Sequence, residues 1–247
     1  MDPSELRVTQ DALLDGRVSL LQPERGFRAG LDSVLLAASV AAPATGRVLE
    51  IGCGVGGALL AAAALNPHGQ FLGVEREPFD ASLALRNIEA NGASRHVSIV
   101  VGDALASPPL DLGGSFDAAF CNPPFNAAGR RADAARAHGH HSEYSVDHWV
   151  RSLANRLRGG AHLSMIHRAD ALTEILAALK GRLGGIRVLP IHPFADHPAH
   201  RVLVRATKGS RGALVLLPSL ALHARDGGQY TIEADAILRG RSRISWE

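Results

Sequence analysis

Short apolar runs alternate with longer stretches whose apolar residues fall three and four apart. Arg47–Leu49, Gln70–Glu75, Val97–Val101, Phe116–Phe120 and Ala161–Ile166 are the short runs. A brief continuous apolar segment predicts a strand covered on both faces, as in a parallel sheet. Between them lie predicted helices. Ala58–Ala64 follows a glycine-rich turn, and Pro78–Ala90 carries Ala81, Ala84, Leu85 and Ile88 on one face before Asn91-Gly92 closes it. Proline suits the first helical turn, and glycine the residue beyond the last. Val146, Trp149, Val150, Leu153 and Leu157 mark a helix ending at Gly159-Gly160, and Leu172, Ile175, Leu176 and Leu179 mark another.

The two ends differ from this alternation. Ala12–Leu14 and Arg17–Leu21 flank Asp15-Gly16, a pair suited to a type I′ hairpin turn. A helix over Leu31–Ala42 follows and stops before Pro43. Late in the chain, Gly185–His192 and Arg201–Thr207 are predicted strands separated only by Pro193–His200. That gap is too short for a parallel crossover, so they should pair antiparallel. An apolar run at Ala213–Leu217 and a short helix near Thr231–Leu238 complete the pattern. The expected architecture is a doubly wound α/β sheet, mostly parallel, with an antiparallel hairpin at one edge and a short N-terminal β-hairpin. Residues 1–45 would form a hairpin and helix packed on a core domain of residues 46–247.

Glu50-Ile51-Gly52-Cys53-Gly54-Val55-Gly56-Gly57 joins the first parallel strand to its helix. Glycines let a ligand approach the backbone, and the helix N-terminus favours polar or anionic atoms. A nucleotide-like cofactor is the expected guest. Gly52-x-Gly54-x-x-Gly57 also satisfies a dinucleotide fingerprint, with Glu75 placed for ribose hydroxyls. Glu50 tilts the balance. A pyrophosphate would meet its negative charge, whereas the ammonium and sulfonium of S-adenosylmethionine (SAM) would be attracted.

Ligands in such sheets bind beyond the carboxyl ends of the strands. Glu50, Glu75, Asp103 and Asn122 end four different strands and should meet on one rim. Glu75 can accept from ribose hydroxyls. Asp103 can accept from an adenine amino group, with the Ala104 N–H donating to the ring. Asn122-Pro123-Pro124-Phe125 is the most specific tetrapeptide. Two acceptors, the Asn122 side-chain oxygen and the Pro123 carbonyl, can hold the hydrogens of a planar amino or amide nitrogen. Its lone pair is then released from the π-system toward a methyl sulfonium. The prolines hold the turn rigid, and Phe125 can stack on a flat substrate.

These residues, with Gly56 and Gly102, resemble a class I SAM-dependent methyltransferase of the amino-methylating group. Gln22-Pro23, Gly26–Asp32, His200–Val204 and Gly228–Thr231 narrow the likeness to the bacterial family of the valine-tRNA adenine-N6 methyltransferase. The resemblance implies a Rossmann-like, seven-stranded methyltransferase fold. It also implies a cofactor site at Glu50, Gly52, Cys53, Gly54, Glu75, Asp103 and Ala104, and catalysis by Asn122, Pro123, Pro124 and Phe125. Phe125 stands where that family has tyrosine, which removes a hydroxyl and keeps a ring. The implied substrate is a tRNA adenine. Protein glutamine amide, ribosomal-RNA guanine N2 and a non-catalytic SAM- or RNA-binding module are the alternatives.

Composition alters this picture little. With 46% hydrophobic and 20% charged residues the chain is ordinary for a globular protein, and a net charge of +2 provides no global basic field. Local cations must therefore hold RNA, and Arg130, Arg131 and Arg136 in the loop after Phe125 are the candidates. Aromatic residues are only 4%, so any stacking platform should be small: Phe125, with Tyr144 or Trp149, the last more in register with the core. Arg239, Arg241 and Arg243 are either phosphate contacts or a frayed tail. His138, His140 and His141 lack the spaced partners of a metal site, so no metal is expected. Cys53 and Cys121 offer neither a disulfide framework nor a zinc set. No signal-peptide pattern or membrane-length apolar run occurs, which predicts a cytoplasmic enzyme. No pattern sets an oligomeric state.

Overall fold

The computed structural model describes residues 7–26, 28–124, 144–224 and 228–247. It opens with an antiparallel hairpin of β1 (Val8–Leu13) and β2 (Val18–Pro23). Asp15 and Gly16 have φ of 59° and 87°, the positive pair expected of a type I′ turn. The Arg17 N–H closes this turn on the Leu14 carbonyl at 3.3 Å. Helix α1 (Leu31–Ser39) ends three residues before the expected Ala42, because Val40 turns extended at ψ 117°.

Strand β3 (Arg47–Ile51), helix α2 (Gly57–Leu65), β4 (Gln70–Glu75), α3 (Pro78–Ala90) and β5 (Val97–Val101) then alternate. The chain crosses back to β6 (Phe116–Cys121), and α4 (Val146–Arg156) runs directly into β7 (Leu157–Arg168), which starts before the expected Ala161. Helix α5 (Leu172–Leu179), β8 (Leu183–Phe194) and β9 (Arg201–Lys208) follow. The sheet runs β5-β4-β3-β6-β7-β9-β8, parallel except for β9.

This is the expected doubly wound sheet with two additions. Short strands β10 (Val215–Leu216) and β11 (Leu220–His223) each pair parallel with β8, making nine strands and covering the hairpin's outer edge. Pro218, which cannot donate to a ladder, lies between them. Helix α6 (Ile232–Leu238) starts at Thr231, whose hydroxyl accepts the Ala234 N–H at 3.2 Å.

Each face of the sheet is covered. One core gathers α1, α2, α3, α6 and the N-terminal hairpin; the other gathers α4 and α5. Helix α2 is apolar throughout, and Gly57–Ala63 are all buried, as expected of a helix enclosed on every side. At Gly57 a Cβ would lie 2.3 Å from that of Ala29. This close approach seats the loop before α1 on the start of α2.

Candidate functional site

The strand order reverses beside β3: β4 and β5 lie on one side, and β6 and β7 on the other. The carboxyl ends of β3, β4, β5 and β6 enclose a cleft. Ile51, Gly52 and Gly54 come from the first turn and Val74, Glu75 and Arg76 from the second. Gly102–Leu105 supply a third wall, Asn122 and Pro124 a fourth, and Tyr144 and Trp149 descend from the start of α4. Of the four strand-end residues expected to meet on one rim, Glu75, Asp103 and Asn122 line this cleft together, and Glu50 does not.

The glycine turn is built by its backbone. The Gly52 and Cys53 N–H groups both donate to the Val74 carbonyl, at 2.8 and 3.2 Å. Gly52 has φ 70°, and a Cβ there would sit 2.7 Å from the Trp149 ring. Glycine is thus required twice at this position, for backbone angle and for space. A Cβ on Gly54 would meet nothing within 4 Å, so that stretch of the turn faces open space.

Glu75 is buried, and its oxygens accept the N–H groups of Gly54 and Glu77 at 2.8 and 2.9 Å. It braces the glycine turn and keeps further lone pairs for a ligand. Asp103 accepts the Leu105 N–H at 2.8 Å and the Tyr144 hydroxyl at 2.9 Å. Tyr144, expected as an alternative to Trp149 in a stacking platform, is thereby tied to the Asp103 turn. From α4, Ser152 donates to the Ala104 carbonyl at 2.8 Å, and Arg156 reaches the same carbonyl and that of Leu110, each at 3.3 Å.

Glu50 occupies a different place from the others. It is buried and does not line the cleft; it faces the start of α2. Burial raises its pKa well above the carboxylate range, the nearby Glu75 adds to the shift, and the Leu59 N–H opposes it. Its Oε2 makes no hydrogen bond. Cys53 and Cys121 are buried free thiols whose pKa values are raised, chiefly by burial and then by Glu50, so both stay protonated. Cys53 offers the site its backbone, since its sulfur packs beneath the turn toward Gly73.

Asn122 is half-buried at the end of β6, and its Nδ2 is buried without a hydrogen bond. The residue lines the cleft beside Pro124. Trp149 is 7% exposed and belongs to the core as expected, yet its ring also forms the cleft floor. Phe125, Arg130, Arg131, Arg136, His138, His140 and His141 lie outside the described residues. Among the described residues no cluster could hold a metal ion. No helix among them is long and apolar enough to cross a membrane. Arg239, Arg241 and Arg243 are not a frayed tail. The first two pair with Asp15, and Arg243 donates to the Val40 and Leu65 carbonyls.

The cleft suits SAM chemically. Ile51, Val74, Leu105 and Trp149 offer apolar walls for a flat base, and carboxylates stand at two of the strand ends. An unengaged buried carboxylate oxygen lies behind the turn, where a cationic ligand would attract charge.

A family model for the methyltransferase small domain matches residues 28–167. The tRNA1(Val) (adenine(37)-N6)-methyltransferase of Photobacterium profundum is 26% identical over 219 residues, spanning 87% of this chain and 90% of that protein. The release factor glutamine methyltransferase of Rhodospirillum rubrum is 39% identical over 80 residues, spanning 32% of this chain and 23% of that protein's length. Among solved structures, a predicted O-methyltransferase from Agrobacterium tumefaciens superposes with a TM-score of 0.73 at 27% identity. That match covers 86% of this chain and 98% of the other.

Proposed function

The chain belongs to the methyltransferase small domain family, and on that premise we propose that it methylates the exocyclic N6 of an adenine in RNA, a tRNA being the favoured substrate. SAM, when bound, supplies a methyl group on a cationic sulfur. The observation carrying the reading is the position of Asn122, a half-buried amide that lines one cleft with the glycine turn, Glu75 and Asp103.

In this reading Gly54, Glu75 and the Asp103-Ala104 turn hold the nucleoside part of the cofactor, and Trp149 supports its base from below. Glu50 balances the ligand's positive charge from behind the turn. The Asn122 oxygen and the Pro123 carbonyl accept the two hydrogens of the target amino group. Its lone pair is thereby turned out of the ring plane toward the methyl. The nitrogen becomes acidic once alkylated, so its proton leaves without a strong base. Phe125 stacks on the flipped base, and Arg130, Arg131 and Arg136 contact phosphate. Near-full-length similarity to an adenine-N6 enzyme supports RNA as the substrate.

The test is transfer of labelled methyl from SAM to unmodified small RNA, followed by nucleoside identification. Labelled N6-methyladenosine is expected, and Asn122→Ala should lower kcat by about 10²–10³ with little change in KM, as for loss of one pre-organised polar contact. Wild-type kcat in that variant would make the tetrapeptide a turn only. Label on a protein glutamine would replace the substrate class.

A further inference from the structure

A cluster of rings stands on the same rim, on strands the methyl-transfer reading does not use. Strands β8 and β11 run in the same direction as β6 and β7. Their carboxyl ends therefore share the rim that carries Asn122. Phe194 ends β8, His223 ends β11, and the two are register partners with ring centroids 5.6 Å apart. Tyr230 forms an antiparallel bridge with His223 and stacks on it, with centroids at 4.9 Å and planes at 20°. The His197 ring centroid lies 5.1 Å from that of Phe194.

The backbone fixes this array. The His197 N–H donates to the Phe194 carbonyl at 3.0 Å, and the Thr231 N–H to that of Leu222 at 2.9 Å. One face of Tyr230 rests on His223, while the residue is 43% exposed. Strand β8 is three strand spacings from β6, and Tyr230, beyond β11, is five, roughly 24 Å at about 4.8 Å per spacing. Arg168 ends β7 and Arg201 begins β9, so two cations lie between the Asn122 turn and the rings. Each is held by an acid, Arg168 by Asp170 and Arg201 by Asp32 at 3.0 Å. Only the His223–Tyr230 pair is stacked; the Phe194 ring is tilted by 40° to His223 and by 50° to His197. Exposed aromatic faces on which bases stack are how single-stranded nucleic acid is held without base-edge readout.

We propose that the Tyr230–His223–Phe194–His197 array is a stacking platform for a base several nucleotides from the methylated one in single-stranded RNA. The inference rests on the RNA reading above and adds a second point of contact to it.

The test uses the full chain and the unmodified small RNA of the methyl-transfer assay. Tyr230→Ala should raise KM for RNA roughly 5- to 100-fold, the range for losing one base–aromatic stack. Its kcat and its SAM affinity by calorimetry should stay at wild-type values, and Tyr230→Phe should behave as wild type. His197→Ala, at an exposed position, should raise KM in the same direction and serves if Tyr230→Ala does not fold. Wild-type methylation of RNA with KM unchanged in both alanine variants would overturn the platform alone. No methylation of any RNA by the wild type would overturn the RNA reading, and the platform with it.

Discussion

At the scale of single residues, Glu50 shows what burial does to a carboxylate. Burial and the nearby Glu75 raise its pKa above the ordinary 4.5. The folded protein then keeps a proton that the unfolded chain releases above that value. Stability is therefore full below about pH 4.5 and falls as pH rises toward the folded pKa. Glu50→Gln cannot ionise and should be more stable than wild type near pH 8, where folding of the wild type must take up a proton or bury a charge. The gain should close near pH 4. Thermal unfolding across pH checks this, and identical curves near pH 8 would refute it. Excess SAM should raise the melting temperature of wild type more than that of Glu50→Gln, because only the carboxylate can answer a cation.

Among elements, the hairpin and the glycine turn are joined through one side chain of α3. Asn87 is fully buried; it accepts the Leu21 N–H at 2.7 Å and donates to the carbonyls of Leu21 and Val55 at 3.0 and 2.9 Å. Asn91, one helical turn on, accepts the Ser19 N–H and donates to the Ser19 carbonyl in the same way. The hairpin edge is thus satisfied by helix side chains in place of a third strand. Asn87→Ala should leave buried backbone groups unpaired and cost about 1–3 kcal/mol. Hydrogen exchange should report faster loss of the Leu21 amide before the sheet amides respond. Unchanged exchange at Leu21 would mean that the hairpin holds itself.

Over the whole molecule, the C-terminal segment closes the end of the fold opposite the cleft. Trp246 is buried and donates to the Ser39 carbonyl at 2.9 Å. Arg205 lies over its ring at 5.1 Å. Arg17 and Arg243 donate to the carbonyls of Ala64 and Leu65. Cations at the last turn of α2 match its dipole. Trp246→Ala should cost about 3–5 kcal/mol, as for deletion of a large core aromatic, and urea unfolding measures it. Replacing Arg239, Arg241 and Arg243 should lower stability but leave the salt dependence of RNA binding unchanged. A flattened salt slope in that variant would return these arginines to the RNA surface.

The chain's periodicity was enough for the alternation of strands and helices, the parallel sheet and its antiparallel hairpin, because each apolar run has one way to be buried. The glycine turn was legible too: a carboxylate, spaced glycines and a helix leave few other conformations. Spacing along the chain carried less about what lies across it. Tyr144, Ser152 and Arg156 brace the Asp103-Ala104 turn from a helix more than forty residues away in sequence. Trp149 could be read as core from its register, but only packing against Gly52 made it the cleft floor. Glu50 was legible as a charge at the turn, while its direction, behind α2's first turn, depended on which face of β3 it occupies. The ring array was hidden most completely. Phe194, His197, His223 and Tyr230 have no common period, and they meet because β11 adds to β8 at the rim. Local sequence settles elements through burial of their own faces, but contacts between elements arise only when the sheet order brings their ends together.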